Sequence, residues 1–526
     1  MNAPLASPYL DRPRAHVAVI GAGPGGLAAA MQLAAGGARV TVFEKDQVVG
    51  GRTRTMSAEG YRFDLGPTFF LYPRILKEIF QSCGAELEHE VELMRLDPQY
   101  RVIFEGAEGE APAVLDATPD MARMAEQIRA IAPGDVGGLE MFMRENRVKL
   151  EAFRPILENA ILSPADLFTV PMIKGLMRLR PHLSVDQDLR RYFADPRIRL
   201  AFSFQTKYLG MSPFKCPALF TILSFLEYEH GVFHVRGGLG GVSEAMARVA
   251  KRLGVEFRFG TPVDRIAFSG RRAIGVEAGG HHIAADAVVL NADFAHAMPK
   301  LVPAGLRRKW SDEKIDRANY SCSTFMLYLG IEGECPAIQH HNVVLSQKYM
   351  ENIAQIERGV IPPVPSLYLH NPSATDDTMA PPGHTALYLL VPVPNLRFGL
   401  DWKKEVAPFR EIALDRIQAL GVPNIRQRIR YEKIVTPQGW HDDYAIGYGA
   451  TFNLSHEIGQ MLHWRPGNRF QNTEGLYLVG GGTHPGSGLP VIYEGARITT
   501  RLLQADLGLP VTPREPVKPA FAVAAQ

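Results

Sequence analysis

Gly21-Ala22-Gly23-Pro24-Gly25-Gly26 fits the pattern G-x-G-x-x-G. Glycines at this spacing act through the side chains they lack. The first permits a tight turn, the second lets backbone approach a pyrophosphate, and the third lets a helix pack closely on a strand. Amides at the helix N-terminus then hold the phosphate anion. Glu44 follows Gly26 by 18 residues. A carboxylate there accepts hydrogen bonds from adenosine ribose hydroxyls and disfavours a 2′-phosphate. The reading is a dinucleotide site. A glycine-rich turn that binds nothing is the alternative, and the flanking strand and helix argue against it.

The residues after Glu44 separate flavin from nicotinamide. Val49-Gly50-Gly51-Arg52-Thr53 places two glycines and an arginine just past the ribose end. An extended cofactor runs there, with Arg52 near the pyrophosphate; a solvated loop charge is the competing reading of Arg52. Asp64-Leu65-Gly66-Pro67 adds another close-approach turn. These features favour FAD. A second fingerprint would mark a nicotinamide site as well. Gly238-Leu239-Gly240-Gly241-Val242-Ser243 comes close, but serine takes the sixth place and no clear strand precedes it. One dinucleotide site is therefore expected.

The elements that must position these residues can be read from periodicity. His16–Ile20 (HVAVI) reads as a buried strand, 27–35 as an Ala-rich helix stopped by Gly36-Gly37, and 39–44 as a second strand. Residues 51–71 read as loop, and helical patterns alternate with loops from 73 to 226. A helix over 243–253 leads into strands at 255–259, 265–268, 273–278 and 287–291. Strands at 324–330, 366–370 and 386–391 mix with helices. A strand at 476–479 runs into Gly480-Gly481-Gly482 and a helix over 490–503. The expected fold is α/β. A discontinuous Rossmann-like FAD-binding domain takes residues 14–105, 231–300 and 466–508. The substrate-binding domain is α+β, with a helical, membrane-facing part over 106–230 and a sheet over 301–465. Residues 509–526, rich in Pro and Ala, read as a disordered tail.

Composition narrows the class. A chain of 526 residues exceeds what one core usually serves. The formal charge, 57 minus 55, is +2. It gives no support for a nucleic-acid partner. Cys83, Cys216, Cys322 and Cys335 lie far apart with no C-x-x-C pair. Neither a disulfide framework nor a metal site is expected, and a reducing cytoplasm is the simple setting. The first 15 residues lack an apolar stretch of the signal-peptide kind. No apolar run reaches the ~18 residues that span a bilayer. Residues 151–180 combine Phe153, Ile156, Leu162, Phe168, Ile173 and Met177 with Arg154, Lys174, Arg178 and Arg180. That mixture suits an interfacial segment on anionic lipid, or equally a buried helix pair with a solvated face.

The segment VIGAGPGGLAAAMQLAAGGARVTVFEKDQVVGGRTRT resembles the N-terminus of the flavin-containing amine oxidase superfamily. GVFHVRGGLGGVSEAMARVA, VVLNADFAH, STFMLYLGI, HHNVVLSQKY, SLYLHNPSATDDTMAPPGHTALYLLVPVPNL and GLYLVGGGTHPGSGLPVIYEGAR resemble its bacterial-type carotenoid (phytoene and diapophytoene) desaturases. The resemblance spans residues 16–503. It implies bound FAD, a long-chain isoprenoid hydrocarbon substrate, peripheral attachment to the cytoplasmic membrane, and quinone or oxygen as electron acceptor. Two departures stand out. Gly482-Thr483-His484 occupies a stretch where many flavoproteins carry Gly-Asp, as it looks to in the desaturases. Val491-Ile492-Tyr493-Glu494 is bulkier and more polar than expected after Leu-Pro, which leaves the C30 or C40 substrate open.

Desaturation removes a hydride and a proton from adjacent carbons, and the flavin takes the hydride. Close approach by Gly482 and the glycines at 486 and 488, with Pro490 at the start of a helix, would set that helix N-terminus beside the ring. Its positive end, worth ~0.3 to 1 kcal/mol, favours negative charge there. Two residues are candidate proton acceptors: Glu494, one turn into the helix, and His484 in the loop. Solvating a helix face and bracing the loop are their respective alternatives. Val263 resembles the residue whose backbone contacts adenine. The rivals that keep the fold are a carotene isomerase, a terminal oxygenase or ketolase, a saturase, an amine oxidase, and a non-enzymatic GDI-like prenyl-binding protein.

Overall fold

Five short apolar strands line up in parallel, in the order Glu256–Arg258, Arg39–Phe43, His16–Ile20, Ala287–Leu290, Leu476–Leu478. They come from three distant parts of the chain, as the discontinuous α/β reading required. The computed structural model describes residues 14–107 and 109–511. Most of the expected tail, and the first 13 residues of the stretch read for a signal peptide, lie outside the described residues.

The strands are apolar throughout because both sheet faces are covered. Val17 and Val19 face a layer of three helices, Pro24–Ala35, Gly240–Arg252 and Leu489–Asp506. Ala18 and Ile20, one residue out of phase, face the antiparallel strands Val263–Ser269, Arg272–Ala278 and His281–Ala284 and the helix Phe294–Leu301. The first helix starts three residues before position 27, because Pro24 is tolerated in an opening turn whose N–H needs no partner.

One expectation fails. A strand, Val232–Val235, does precede the second glycine turn. It is only four residues long, and His234 interrupts its apolar run, so the sequence pattern hid it. It pairs antiparallel with Phe70–Leu71 and Leu93–Arg95, outside the parallel sheet.

The second lobe rests on a seven-stranded sheet. Its order is Ile429–Val435, Ser323–Glu332, His384–Val393, Leu367–His370, His341–Leu345, Tyr100–Phe104, Ala113–Ala117. Helices Met121–Ile131, Val136–Leu157 and Ile222–His230 bury Phe142, Phe193, Phe202 and Phe225 beside it. Among the described residues no helix is long and apolar enough to cross a membrane.

Residues 151–180 divide between core and surface. Phe153, Ile156 and Ile161 are buried, while Leu162, Phe168, Ile173 and Met177 are exposed, Phe168 by 75% and Met177 by 77%. Arg180 is not the surface cation the sequence reading made it. Its guanidinium donates to Asp188 at 2.6 Å and to Glu145 at 2.8 Å, neutralising carboxylates at the edge of the helical core. The side chain of Lys174 lies outside the described residues.

Candidate cofactor and active site

The first strand ends in Gly21, whose φ of +96° favours glycine. A Cβ at Gly21 would stand 2.3 Å from the Asn291 carbonyl oxygen, and one at Gly26 would stand 2.1 Å from the Gly21 oxygen. Strand, turn and helix are packed too closely for any side chain. Gly23 differs: its nearest neighbour is the Asn291 amide nitrogen at 3.1 Å, with nothing else within 4 Å. The space above it is left for a ligand, as a pyrophosphate requires.

Glu44 is buried, and both carboxylate oxygens are held. Oε2 accepts from the Ala22 amide at 2.7 Å and Oε1 from the Asp46 amide at 3.0 Å. Its own backbone binds Arg258 and Thr261, two residues before Val263. Val263 opens its strand half-buried against the outer sheet core. The ribose carboxylate is thus fixed by three chain segments.

The loop after Glu44 closes onto the fingerprint. Gly50 donates to the Ala22 carbonyl at 2.8 Å. A Cβ at Gly51 would lie 3.5 Å from Gly23 Cα, and one at Gly66 would lie 2.8 Å from the Arg52 carbonyl oxygen. Arg52 donates to the Thr451 carbonyl at 2.7 Å and sits in the field of the buried Asp293. Gly21, Gly23, Gly26, Glu44, Gly51, Arg52 and Gly66 therefore form one neighbourhood.

The C-terminal strand returns to the same place. A Cβ at Gly25 would touch Ile492 Cγ2 at 3.1 Å and the Gly480 amide nitrogen at 3.5 Å, so the closing helix starts against the fingerprint turn. Pro490 lies in its first turn. Gly482 is demanded by packing, since a Cβ would meet Asn453 Oδ1 at 2.6 Å and Phe294 Cβ at 2.7 Å. Sequence reasoning missed Arg465. It is buried behind this loop and donates to the carbonyls of Gly481 at 2.6 Å and Leu454 at 3.1 Å. Burial pulls its guanidinium down to about 9. No motif marks a lone arginine, so only the fold reveals it.

The two candidate proton acceptors have different surroundings. His484 is buried, and its Nε2 lies 3.0 Å from the Asn159 carbonyl oxygen. That oxygen only accepts, so Nε2 carries the proton, and Nδ1 has no partner among the described residues. Burial lowers its pKa to about 4. Glu494 is buried beside two guanidinium groups, Arg497 at 3.2 Å and Arg501 at 3.8 Å. Arg497 also pairs with Glu78 at 2.7 Å. Burial raises the Glu494 carboxyl, against the opposing pull of both arginines.

The second glycine turn is filled from within. The Asp64 carboxylate accepts from the Leu239 amide at 2.8 Å, and Thr55 Oγ1 from the Gly240 amide at 3.0 Å. A Cβ at Gly238 would stand 2.5 Å from Thr55 Oγ1. The protein's own carboxylate takes the place a phosphate would need. One dinucleotide site remains the reading, for this reason rather than for want of a strand.

Beyond Gly66 the wall turns aromatic. Phe69 stacks on His341 with ring centroids 4.0 Å apart, and lies 5.3 Å from Tyr208 and 5.5 Å from Tyr368. Behind these rings Glu227 is fully buried and accepts from Tyr100 at 3.0 Å and Gln205 at 2.8 Å. These residues are scattered in sequence, and nothing in their spacing announced them. A cleft of about 360 Å³ beside Glu105, Glu110 and Lys348 touches none of these groups, and its charged lining does not suit a hydrocarbon.

The open space over Gly23, the fixed carboxylate of Glu44 and the helix start beside Gly25 fit FAD. A parallel dinucleotide sheet closed by a C-terminal strand and helix defines a flavoprotein oxidoreductase. The family model of the flavin containing amine oxidoreductases matches residues 24–499. A 4,4'-diapophytoene desaturase (4,4'-diapolycopene-forming) of Methylomonas sp is 42% identical over 93% of this chain and 95% of its own. The all-trans-zeta-carotene desaturase of Myxococcus xanthus is 39% identical over 96% of this chain and 98% of its own. An oxidoreductase from Methanosarcina mazei shares the fold, with a TM-score of 0.63 at 18% identity over 91% of this chain and 98% of that one. The chain belongs to the flavin containing amine oxidoreductase family. It is an oxidoreductase and its cofactor is FAD.

Proposed function

We propose that the chain desaturates an acyclic carotenoid precursor, phytoene or 4,4'-diapophytoene, at a membrane surface. The carrying observation is the aromatic wall around Phe69, which begins three residues past Gly66 and so lies next to the cofactor neighbourhood. An apolar chain against such a wall fits a hydrocarbon and leaves no anchor for an amine. The desaturase relatives support the same reading.

In each step one carbon–hydrogen bond breaks with its electron pair and the neighbouring carbon gives up a proton. The electrons of the second bond form the new double bond. When bound, FAD supplies the two-electron acceptor, and quinone or oxygen reoxidises it. The chain's own work is to orient the polyene, exclude water and accept the proton. His484 is assigned that last task, because its unpartnered Nδ1 is a free lone pair, whereas Glu494 is engaged by two arginines. Glu494 then positions the closing helix. His484→Asn is expected to retain flavin absorbance and lose roughly 100-fold or more in turnover. Glu494→Gln should lose less. The reverse order would transfer the role.

Attachment is proposed through Leu162, Phe168, Ile173 and Met177, whose exposed side chains suit the headgroup boundary on the cytoplasmic face. Expression in hosts that accumulate phytoene or 4,4'-diapophytoene, followed by pigment analysis, tests the whole reading. Longer-wavelength bands with loss of hydrogen mass are expected. Oxygen gain would mean an oxygenase, an unchanged mass an isomerase, and a protein that stays colourless with added FAD a prenyl-binding relative.

A further inference from the structure

Three buried histidines from separate segments meet where the two lobes join. His234 lies on the strand Val232–Val235, which leads into the second glycine turn of the cofactor lobe. His340 precedes the strand His341–Leu345, and His370 ends the strand Leu367–His370, both in the substrate sheet. Exposures are 1%, 4% and 1%. A donor nitrogen from each ring lies within 4.8 Å of the others.

From this convergence the geometry points to a structural site for a divalent first-row metal ion such as Zn²⁺, held by His234, His340 and His370 and clamping the cofactor lobe to the substrate sheet.

Three features carry it beyond a cluster of rings. First, His340 Nε2 and His370 Nε2 face each other at 3.1 Å. Two imidazole nitrogens on one tetrahedral ion, each at ~2.0–2.1 Å from it, stand about 3.3 Å apart. Second, the rings have the outer partners that orient metal-bound imidazoles. His340 Nδ1 is 2.6 Å from Thr375 Oγ1, and His234 Nε2 is 2.8 Å from Asp376 Oδ2. Third, Asp376 supplies a buried negative charge, and the same oxygen accepts from the Gly237 amide at 2.7 Å. That carboxylate ties the histidine to the glycine turn. Burial keeps His340 and His370 well below the ordinary imidazole range, and neutral imidazole is the form that binds metal. Imidazole donors suit zinc, iron, nickel or copper rather than calcium or magnesium. The sequence offered no such signal, because the ligands lie over a hundred residues apart and no cysteine takes part.

The test uses the full-length protein with FAD bound, stripped of metal by a chelator and then titrated with Co²⁺ or Zn²⁺. One equivalent of Co²⁺ should bind and give visible d–d bands, and Zn²⁺ should displace it and raise Tm. His370→Gln and His340→Gln keep a hydrogen-bonding amide but lose a ligand, and should bind at least ~10-fold more weakly. Asp376→Asn should weaken binding by about 10- to 100-fold. A wild type that gives no cobalt bands and no zinc-dependent rise in Tm overturns the proposal, leaving the rings joined by hydrogen bonds alone. That result stands even if a variant fails to fold. Metal retained equally by wild type and both glutamine variants places the ion elsewhere and overturns it too.

Discussion

The carboxylate of Glu44 accepts a hydrogen bond from the Ala22 amide at 2.7 Å, joining the end of the second strand to the middle of the glycine turn. Ribose recognition and phosphate recognition are thereby one rigid unit. Glu44→Gln keeps the shape and loses the charge. A hydrogen bond to a charged group contributes about 1.5–3 kcal/mol, so FAD affinity should fall roughly 10- to 100-fold. Titrating apoprotein with FAD by flavin fluorescence measures it. Unchanged affinity would show that the ribose lies elsewhere.

Two glycines of the turn should fail differently. Gly26→Ala places a methyl 2.1 Å from the Gly21 oxygen, so it should lower Tm as well as flavin content. Gly23→Val meets open space and Asn291 alone. It should fold with a Tm near that of the wild-type apoprotein and yet bind no FAD. Thermal melts of both apoproteins, read beside their flavin absorbance, separate packing from ligand approach.

These contrasts show why part of the site was legible in sequence. Gly21, Gly26 and Glu44 act through local spacing, and local spacing survives in a one-dimensional string. The closing helix was legible because glycines and a proline mark its start. Arg465, Phe69 and the three histidines act through contacts between distant segments, so no window along the chain contains their pattern. The strand Val232–Val235 was missed because His234 turns its side chain into a polar cluster and breaks the apolar run.

Glu227 gives the fold a pH dependence with a definite sign. Burial raises its pKa to about 7, against hydrogen bonds from Gln205, Tyr208 and Tyr100. Tyr228 also faces the site through Tyr100. The native state holds this proton more tightly than the unfolded chain does. The stabilisation is therefore complete below about pH 4.3 and is lost as pH rises through about 7, to the extent of roughly 3 kcal/mol. Glu227→Gln should flatten this part of the profile. Urea midpoints of wild type and variant between pH 5 and pH 8 test it, and parallel slopes would refute it.

The exposed apolar side chains of residues 162–177 should govern membrane binding. Phe168→Asp combined with Met177→Asp removes two large side chains from the surface and adds two negative charges. Sedimentation with anionic vesicles should fall by about 10-fold or more, with Tm unchanged because neither residue is buried. Arg178→Gln should matter only at low salt, since exposed charges are screened over ~10 Å at 0.1 M. Arg180→Gln should instead lower Tm, because Arg180 pairs with Glu145 and Asp188. A vesicle defect for Arg180→Gln with an unaltered Tm would reverse these assignments.

The helical core beneath that surface depends on a buried charge. Lys149 pairs with Asp188, both almost inaccessible, and donates to Thr221 Oγ1 at 2.9 Å. Desolvation lowers the Lys149 pKa, while Asp188 pulls the other way. Lys149→Met leaves Asp188 to Arg180 alone, and breaking a buried pair from one side costs about 3–5 kcal/mol. Lys149→Met with Asp188→Asn removes both charges, so its cost should be less than the sum of the two single changes. Urea midpoints of the four proteins give the coupling directly. Strict additivity would mean that Arg180, rather than Lys149, compensates Asp188, and the helical lobe would then owe its charge balance to the surface it presents to lipid.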